Sequence, residues 1–397
     1  MTTGARAVPP ATASPVDDGD RIRTIASLDG LRSLEAAWAS VAVGRGPIEQ
    51  LDWIVSSVAL TCDPSEVETV TVFRGDRLAA VAPLATPRVN GARRRVMLGV
   101  HRLGDPMDLL AADHRALTAL AGSLAGDRRP IVFGRLPVDS PTVPALRAAF
   151  DRRWLMVSQP LPPCPYIPLD PTWQEPERHL NPGRRSDLRR ALRRAERMGE
   201  VRAEILSPRP EEVDDALEEA IAVEARSWKA QAGTALACTP ALSGFTRRYA
   251  HAAARRGSLR VGFLRIDGQA AAMQLAVVCG GGLWLLRIGY DPRFALGSPG
   301  MLLLRESIGH AAREGLRSYE FLGYPEPWIE VWTGHSRPTV ELRAYPHNAA
   351  GGAALAADGA ARVARAARKR VHAVGQRIAE SSRERVRRGE RSARAAS

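Results

Sequence analysis

The most informative segment of this chain is Ile288–Leu303, IGYDPRFALGSPGMLL. An apolar run ends at Tyr290, a loop follows, and an apolar pattern at helical spacing begins at Gly300. The free N–H groups and the positive dipole end of such a helix would converge on a group held in the loop, which suits a pyrophosphate. Gly297 and Gly300 would let that group approach the backbone, and Pro299 suits the first helical turn. A plain strand-to-helix turn fits these residues equally well, so the neighbouring sequence has to distinguish the two interpretations.

The second half of the chain predicts a mixed order of strands and helices, β-α-α-β-β-β-α-β-β. Strands are predicted at Val201–Leu206, Leu259–Ile266, Ala270–Val278, Leu283–Tyr290, Tyr319–Leu322 and Thr339–Ala344, and helices at Glu211–Trp228, Pro240–Arg256 and Gly300–Arg313. The uncharged run Gly268–Leu286 has 19 residues, enough to span a bilayer. Because three glycines at 280–282 interrupt it, we predict two strands joined by a glycine turn instead.

Parts of the first half repeat the second. Arg74–Leu84 aligns with Arg265–Leu275 at an offset of 191, and Leu103–Leu110 aligns with Leu296–Leu303 at an offset of 193. Two matches in the same order at nearly one offset indicate duplication of a unit of about 190 residues. The alternative is coincidence in a chain rich in Ala and Leu.

These patterns divide the 397 residues into five segments. They are a disordered leader at 1–20, a first half at 21–170, a basic connecting helix within 171–200, a second half at 201–350 and an Ala/Arg-rich tail at 351–397. The leader lacks the apolar region of a signal peptide. We therefore predict two related halves flanked by polar ends.

The positive charge is large but ambiguous. The chain has 56 basic and 43 acidic residues, a formal net charge of +13, and only Lys229 and Lys369 are lysines. A balance so rich in Arg and Ala is typical of high-GC bacterial genomes, which weakens the charge as a sign of nucleic-acid binding. Seven arginines lie in the helix 184–197, and the tail 362–397 has a net charge of +9. Either segment could meet an acidic partner, RNA or anionic lipid.

The cysteines and histidines give no metal or disulfide pattern. The cysteines are far apart and form no CxxC pair: Cys62, Cys164, Cys238 and Cys279. The eight histidines form no HxH or HxxxH pair. We therefore expect no metal ion and a cytoplasmic protein with reduced thiols.

Six motifs in one order relate the chain to a known superfamily. They are GRRSDLRRALRRAERMG at 183–199, Ser227-Trp228-Lys229 with Gly233, Leu264–Gly268 with Ala271, Gly289-Tyr290-Asp291-Pro292, Ser298-Pro299-Gly300, and Glu320-Phe321 with Gly323 and Trp332. With them the sequence resembles the GNAT acyltransferases, and among these the bacterial CelD-like branch related to FemAB-type tandem proteins. The resemblance covers about residues 175–345 and, more weakly, 25–165.

The resemblance implies an α/β (α+β) fold class: two tandem GNAT-like folds, each a mixed, mostly antiparallel sheet flanked by helices. It implies acetyl-CoA or another acyl-CoA as co-substrate of the second half. The residues implied to hold it are Gly289, Gly297, Ser298, Pro299, Gly300 and Met301. The strands Leu283–Tyr290 and Tyr319–Leu322 would splay apart around the thioester, whose carbonyl would face backbone N–H groups near Gly289 and Tyr290. Met107 stands where Gly300 would be in the first half, so we expect that half to be structural.

Acyl transfer needs a base for the nucleophile and an acid for the leaving thiolate. Tyr290, at the strand end beside the loop, is the candidate acid; an aromatic plug is the alternative. Glu320 is the candidate base, because Tyr319 and Phe321 would point to the opposite face of their strand. A solvated carboxylate is the alternative for Glu320.

Acceptor contacts are expected from four residues, Glu224, Trp228, Lys229 and Trp332. A surface salt bridge is the alternative for Glu224 and Lys229. The family often has Tyr-Lys, two further residues and then Trp after the last core strand. Here Trp328-Ile329 replaces Tyr-Lys at that spacing from Trp332, so the acceptor differs or activity is lost.

Three functions remain open at this point. The first is an acyl-CoA-dependent N- or O-acyltransferase, with acetyl transfer expected, acting on a sugar, amino sugar or small metabolite. The second is a FemAB-like transferase that takes its acyl group from aminoacyl-tRNA. The third is a catalytically inactive GNAT-repeat scaffold, which the missing lysine favours.

Overall fold

A computed structural model describes residues 19–227, 233 and 236–367. The first half contains strands β1 (Asp20–Ile25), β2 (Thr69–Arg74), β3 (Arg77–Ala82), β4 (Leu84–Ala85), β5 (Arg88–Val89), β6 (Ala92–Arg93), β7 (Arg95–Met97), β8 (Leu110–Ala111), β9 (Ile131–Pro137) and β10 (Trp154–Pro168). Its helices are α1 (Leu28–Arg32), α2 (Glu35–Val41), α3 (Leu51–Thr61), α4 (His114–Gly126) and α5 (Thr142–Ala149).

The second half opens with the arginine-dense helix α6 (Pro182–Glu196). It continues with β11 (Val201–Leu206), α7 (Val213–Arg226), α8 (Pro240–Arg255), β12 (Leu259–Ile266), β13 (Gln269–Cys279), β14 (Gly282–Tyr290), α9 (Pro299–Arg313), β15 (Ser318–Glu320), α10 (Pro327–Glu330) and β16 (Ser336–Pro346). Residues 349–367 are helical. The order predicted from the sequence is therefore observed, including the strand β12 with its predicted bounds.

The two halves follow one plan. Each runs from a strand through helices to a group of strands, then through a helix, a strand and a short helix to a long last strand. The first half ends this way with α4, β9, α5 and β10, and the second with α9, β15, α10 and β16. The duplication indicated by the sequence is thus visible in the element order.

The halves exchange their last strands within one sheet. Its ten strands lie in the order β11-β12-β13-β14-β15-β10-β16-β9-β7-β4. Strand β10 of the first half pairs with β15 of the second, and β16 of the second half pairs with β9 of the first. A four-stranded sheet, β1-β2-β3-β8, completes the first half. Neither half therefore completes its sheet alone.

The ten-stranded sheet parts between β14 and β15. These strands run parallel, but their pairing covers only Gly282–Trp284 against Ser318–Glu320. Beyond that point β14 continues along β13 to Tyr290, with one register shift opposite Leu275 and Ala276. The far edge of β14 is left without a neighbouring strand in the described part of the chain.

Apolar clusters cover both faces of the sheet in the second half. Met273 and Leu275 of β13 face a large core that unites the first half with α7 and α8. Ala272 and Ala276 face a second core beneath α6 and α9. Because both faces are buried, β13 is almost continuously apolar, as expected for a central strand.

The uncharged run Gly268–Leu286 forms parts of β13 and β14 with their glycine turn, as the sequence predicted. Within 19–227 and 236–367, no helix combines the length and apolarity that a bilayer crossing needs.

Candidate active site

Helix α9 begins at an N-terminus that no side chain caps. Ser298 precedes it in the left-handed region, with φ 49° and ψ 51°, and its side chain makes no hydrogen bond to the helix. Pro299 occupies the first helical position, and a Cβ built on Gly300 would find no atom closer than Cδ1 of Tyr290, at 3.9 Å. Pro299 has no N–H, and the N–H groups of Met301 and Leu302 donate to the carbonyl oxygen of Ser298 at 3.0 Å and 3.3 Å. The N–H of Gly300 is therefore the first-turn donor that faces the open space beside the Tyr290 ring, at the positive end of the helix dipole.

A cavity of about 740 Å³ starts at this helix end and runs through the parting of β14 and β15. Its wall on the α9 side includes Tyr290, Ser298, Gly300, Met301, Leu304 and Trp328. Its wall on the other side includes Trp53, Asp105, Phe245, Tyr249, Met273 and Arg287, from both halves of the chain. The cavity therefore joins a helix N-terminus on one face of the sheet to an aromatic chamber on the other.

Most of the residues predicted to hold the co-substrate line this cavity: Gly289, Ser298, Pro299, Gly300 and Met301. Gly297 does not. A Cβ on Gly297 would lie 3.0 Å from Cβ of Ala195, so its missing side chain admits helix α6 and not a ligand. Gly289 lines the cavity, but a Cβ there would lie 3.1 Å from Cα of Glu224, so this glycine also admits α7.

Glu320 lies apart from Tyr290. As predicted, Tyr319 points to the opposite face, where its hydroxyl lies 3.1 Å from Oγ of Ser307. Glu320, however, faces a second cavity of about 370 Å³, and its Oε1 accepts a 2.8 Å hydrogen bond from Nη2 of Arg337. Glu320 is only 3% exposed, so it is not a solvated carboxylate. It does not line the larger cavity. Strand alternation predicted the face of the sheet on which Glu320 lies, but it could not predict which of the two cavities Glu320 lines.

Glu224 forms a buried ion pair and not the surface salt bridge considered above. It is 0% exposed, its carboxylate lies 3.1 Å from the guanidinium of Arg287, and its Oε2 accepts the N–H of Leu236 at 2.9 Å. Arg287 in turn lines the larger cavity. Glu224 thus orients a cavity residue without lining the cavity itself.

Trp332, another predicted acceptor residue, does not line the cavity. Trp332 is buried in the core beneath α9, together with Ile329, because the short helix α10 turns both inward. Trp328, from the same turn, lines the cavity instead. Trp228 and Lys229 lie outside the described residues.

Asp105 is a cavity residue that the sequence analysis did not identify. It lies in the loop between β7 and β8 and lines the large cavity. Withdrawal from bulk water raises the pKa of its carboxyl to about 6, against the lowering effect of Arg135 and Arg287. A signal was present: in the repeat alignment Asp105 occupies the position of Ser298. The first half's copy of the loop thus sends a carboxylate into the cavity of the second.

Arg135 fixes that loop. Its guanidinium donates to the carbonyl oxygens of Gly104 at 2.7 Å, Pro162 at 2.9 Å and Gly323 at 2.6 Å. The residue is buried and has φ 49°. Arg135 thereby ties the Asp105 loop to β10 and to the segment that follows β15.

The corresponding helix of the first half is closed to anions. The N-terminus of α4 is capped by Asp113, whose carboxylate accepts the N–H of Ala116 at 2.8 Å. Arg74 and that N–H hold the pKa of Asp113 at about 2, so the cap is anionic. Met107 is fully buried. A negative cap at α4 repels the group that the open end of α9 would attract.

Helix α6 adds positive charge near α9. All seven arginines between 184 and 197 are exposed, and Arg190 is paired with Asp187. The opposite side of α6 packs on the 3₁₀ turn Pro292–Gly297 and on α9. No group of three or more His, Cys, Asp or Glu side chains suited to a metal ion occurs in the described residues.

The chain is similar to known proteins in part of its sequence and in its fold. Residues 182–329 match the family model described as the acetyltransferase (GNAT) domain. The C-terminal domain of a putative lysylphosphatidylglycerol synthetase from Agrobacterium fabrum superposes with a TM-score of 0.51 at 13% identity, covering 83% of this chain and 96% of that one. FemX superposes with a TM-score of 0.51 at 12% identity, covering 79% and 95%. At identities this low, the two superpositions establish a shared fold and nothing more. No curated protein sequence matches the chain.

Proposed function

We propose that the chain, whose residues 182–329 match the acetyltransferase (GNAT) domain model, is an acyltransferase that uses acyl-CoA to acylate a small molecule. The observation that carries the proposal is the continuous cavity from the uncapped end of α9 through the parted sheet. A co-substrate with a diphosphate at one end and a thioester at the other has the shape this cavity requires.

The open end of α9 fits the diphosphate of CoA. The space at Gly300 and the absence of a side-chain cap leave the N–H of Gly300 and the positive end of the helix dipole open to a phosphate oxygen. The pantetheine arm would follow the open edge of β14. Backbone N–H groups near Gly289 and Tyr290 would then stabilise negative charge on the thioester oxygen.

We assign the base to Asp105 in place of Glu320, because Asp105 lines the same cavity as Tyr290. Asp105 removes a proton from the acceptor's amine or hydroxyl, whose nitrogen or oxygen attacks the thioester carbon. The carbon–sulfur bond breaks, and Tyr290 protonates the departing thiolate and regains its proton from solvent. A carboxyl pKa of about 6 suits a base that works near neutral pH.

Ligand-induced thermal stabilisation tests the proposal. At 100 times Kd, acetyl-CoA should stabilise the protein by about 2.7 kcal/mol, and desulfo-CoA should do the same. Ser298→Asp should abolish the shift by placing a negative charge at the phosphate position, and Gly300→Trp should abolish it by filling the space. Ser298→Asn is the matched control, because Asn tolerates the left-handed conformation without the charge. A shift that survived both changes would contradict the proposal.

Aminoacyl-tRNA is the second candidate donor, and the exposed arginines of α6 beside α9 are the observation that favours it. An RNA donor would be stabilising in the same assay, and its affinity would fall steeply with salt. The double variant Arg189→Glu/Arg193→Glu should then remove RNA binding and leave acetyl-CoA binding intact. Stabilisation by neither ligand would favour an inactive scaffold.

The acceptor class carried into this proposal is a sugar, an amino sugar or another small metabolite. An acidic partner, RNA or anionic lipid remains a proposed contact for α6 and for the tail 362–397, of which 368–397 lie outside the described residues. The CelD-like assignment and the cytoplasmic location also stay predictions.

A further inference from the structure

The far side of the cavity is an aromatic chamber built from two helices of different halves. Trp53 of α3 lies edge-on to Phe245 and Tyr249 of α8, with ring centroids 4.9 Å and 4.8 Å apart. The indole N–H of Trp53 donates to the carbonyl of Gly99 at 2.9 Å, so its polar atom is already satisfied. Leu242 and Met273 complete this part of the wall. The chamber thus offers mainly rings and aliphatic groups to a ligand, with the hydroxyl of Tyr249 as a polar atom among them.

The polar side chains on this side are Asp105, Arg102, Arg287, Thr246 and the phenol of Tyr249. Asp105 and Arg287 lie where β14 leaves β15, and Arg287 is already paired with Glu224. Thr246, also on the wall, donates its hydroxyl to the carbonyl of Leu242 at 2.9 Å. Asp105 is therefore the group best able to receive a charged or proton-bearing part of a ligand.

This distribution of groups discriminates between acceptors. A sugar would bring several hydroxyls against three aromatic rings, and each hydroxyl without a partner would keep its desolvation cost. An apolar body would instead gain by leaving water, and its single amine would meet the carboxylate. The chemistry of the wall matches a molecule that is apolar at one end and basic at the other.

We propose that the acceptor is a small hydrophobic primary amine, whose aromatic or branched aliphatic body fills the chamber and whose amino group meets Asp105. This inference rests on the proposed acyl-CoA-dependent function. The amine loses a proton to Asp105, its nitrogen bonds to the thioester carbon, and the carbon–sulfur bond breaks. The products are an amide and free CoA, with the thiolate protonated by Tyr290.

Acceptor-dependent release of CoA thiol from acetyl-CoA tests this. We expect kcat/KM for 2-phenylethylamine and isoamylamine to exceed that for glucosamine by at least 100-fold. Leu242→Trp, which fills the chamber from a partly exposed position, should lower kcat/KM for 2-phenylethylamine about tenfold or more through KM. It should leave the acetyl-CoA thermal shift unchanged. Leu355→Trp, at a 41% exposed leucine outside the cavity, is the matched control and should change neither.

The possible outcomes distinguish failure of the acceptor proposal from failure of the proposed acyl-CoA-dependent function. Equal use of glucosamine, or rejection of every hydrophobic amine while acetyl-CoA still stabilises the protein, overturns the acceptor and leaves the acyl-CoA function standing. If Leu242→Trp weakens octanoyl-CoA binding and leaves the KM for amines unchanged, the chamber holds the acyl chain and the acceptor proposal is overturned. Absence of any stabilisation by acetyl-CoA is the failure of the proposed function itself.

Discussion

At the residue scale, side chains of one half of the chain contribute to a site in the other half. Asp105 and Arg135 both belong to the first half, yet both serve the cavity whose helix end lies in the second. Sequence reasoning found the loop of Asp105 as a degenerate repeat and assigned it no chemistry. Its role depends on a contact between distant segments, which no local pattern encodes.

The pH dependence of catalysis should report Asp105. Because its pKa is raised to about 6 and a base must be deprotonated, kcat should rise with pH through about 6 and then level off. Arg135 on β9, Arg287 on β14 and the Cys164 thiol on β10 are the charged and titratable groups around it. Asp105→Asn should remove that inflection and lower kcat by about 10²–10⁴-fold. A pH–rate profile identical in the variant would contradict the assignment.

Arg135 should contribute both to the free energy of unfolding and to the pKa of Asp105. Arg135→Leu leaves three carbonyl oxygens without their donor, and unfolding in urea should show a loss of about 3 kcal/mol. The same change removes a positive charge beside Asp105, so the pKa of that carboxyl, and the inflection in the rate profile, should move upward. Arg77→Leu, at an exposed position on β3, is the control and should stay within about 0.5 kcal/mol of the parent.

At the level of elements, the helices and strands of the second half followed from apolar spacing and turn residues. The largest boundary difference is at β16, predicted at Thr339–Ala344 and observed at Ser336–Pro346. Strand β15 also differs, predicted at Tyr319–Leu322 and observed at Ser318–Glu320. Leu322 has φ 54°, and the N–H of Phe321 bonds to Pro165 of the other half. Tertiary contacts therefore ended that strand earlier than its apolar residues suggested.

Two glycines near the start of α9 should respond oppositely to a methyl group. Gly297→Ala would press a Cβ to 3.0 Å from Ala195 on α6 and should cost about 1–3 kcal/mol in denaturant unfolding. Gly300→Ala places a Cβ 3.9 Å from its nearest neighbour, Cδ1 of Tyr290 on β14, and should leave stability unchanged or raise it by up to about 1 kcal/mol. Equal losses at both positions would mean that Gly297 does not admit α6.

The helix at 349–367 is held by one buried carboxylate. Asp358 accepts hydrogen bonds from Tyr345 at 2.6 Å, from Arg94 at 2.6 Å, from Asn90 at 2.8 Å and from Arg343 at 2.7 Å. Burial raises the pKa of Asp358, but the hydrogen bonds from these donors lower it more and hold it well below its usual range. Its stabilising contribution is therefore present above the unfolded pKa of about 3.9 and is lost as pH falls below it.

Asp358→Asn should destabilise the protein by about 3–5 kcal/mol, because Arg94 would remain buried without its counter-ion. Denaturant unfolding at pH 7 measures this loss. The difference between parent and variant should shrink as the pH is lowered below 4. A difference that stayed constant with pH would show that the charge of Asp358 is not what holds the helix.

Over the whole molecule, the duplication was visible in the sequence but the exchange of strands was not. Two segments at nearly one offset predicted related halves, and the element order agrees. Which strand pairs with which depends on long-range pairing between β10 and β15 and between β16 and β9. Both possible pairings bury similar apolar strands, so composition and periodicity do not distinguish them.

Separating the halves should therefore unfold them. We expect 19–170 and 171–367, expressed alone, to lack a cooperative thermal transition, and the second to show no shift with acetyl-CoA. The intact chain should unfold in one transition followed equally by circular dichroism and tryptophan fluorescence. A separate second half that folds and binds acetyl-CoA would contradict this.

The exchange of strands also determines when the sheet can be completed during synthesis of the chain. Strand β10 ends at Pro168, but its neighbour β16 begins only at Ser336. At ribosomal speeds of about 5–20 residues per second, roughly ten to thirty seconds separate the two. During that interval β9 and β10 have emerged with an unmade edge between them, so the nascent protein passes through a stage when a chaperone, or a neighbouring copy on the same polysome, could occupy the gap.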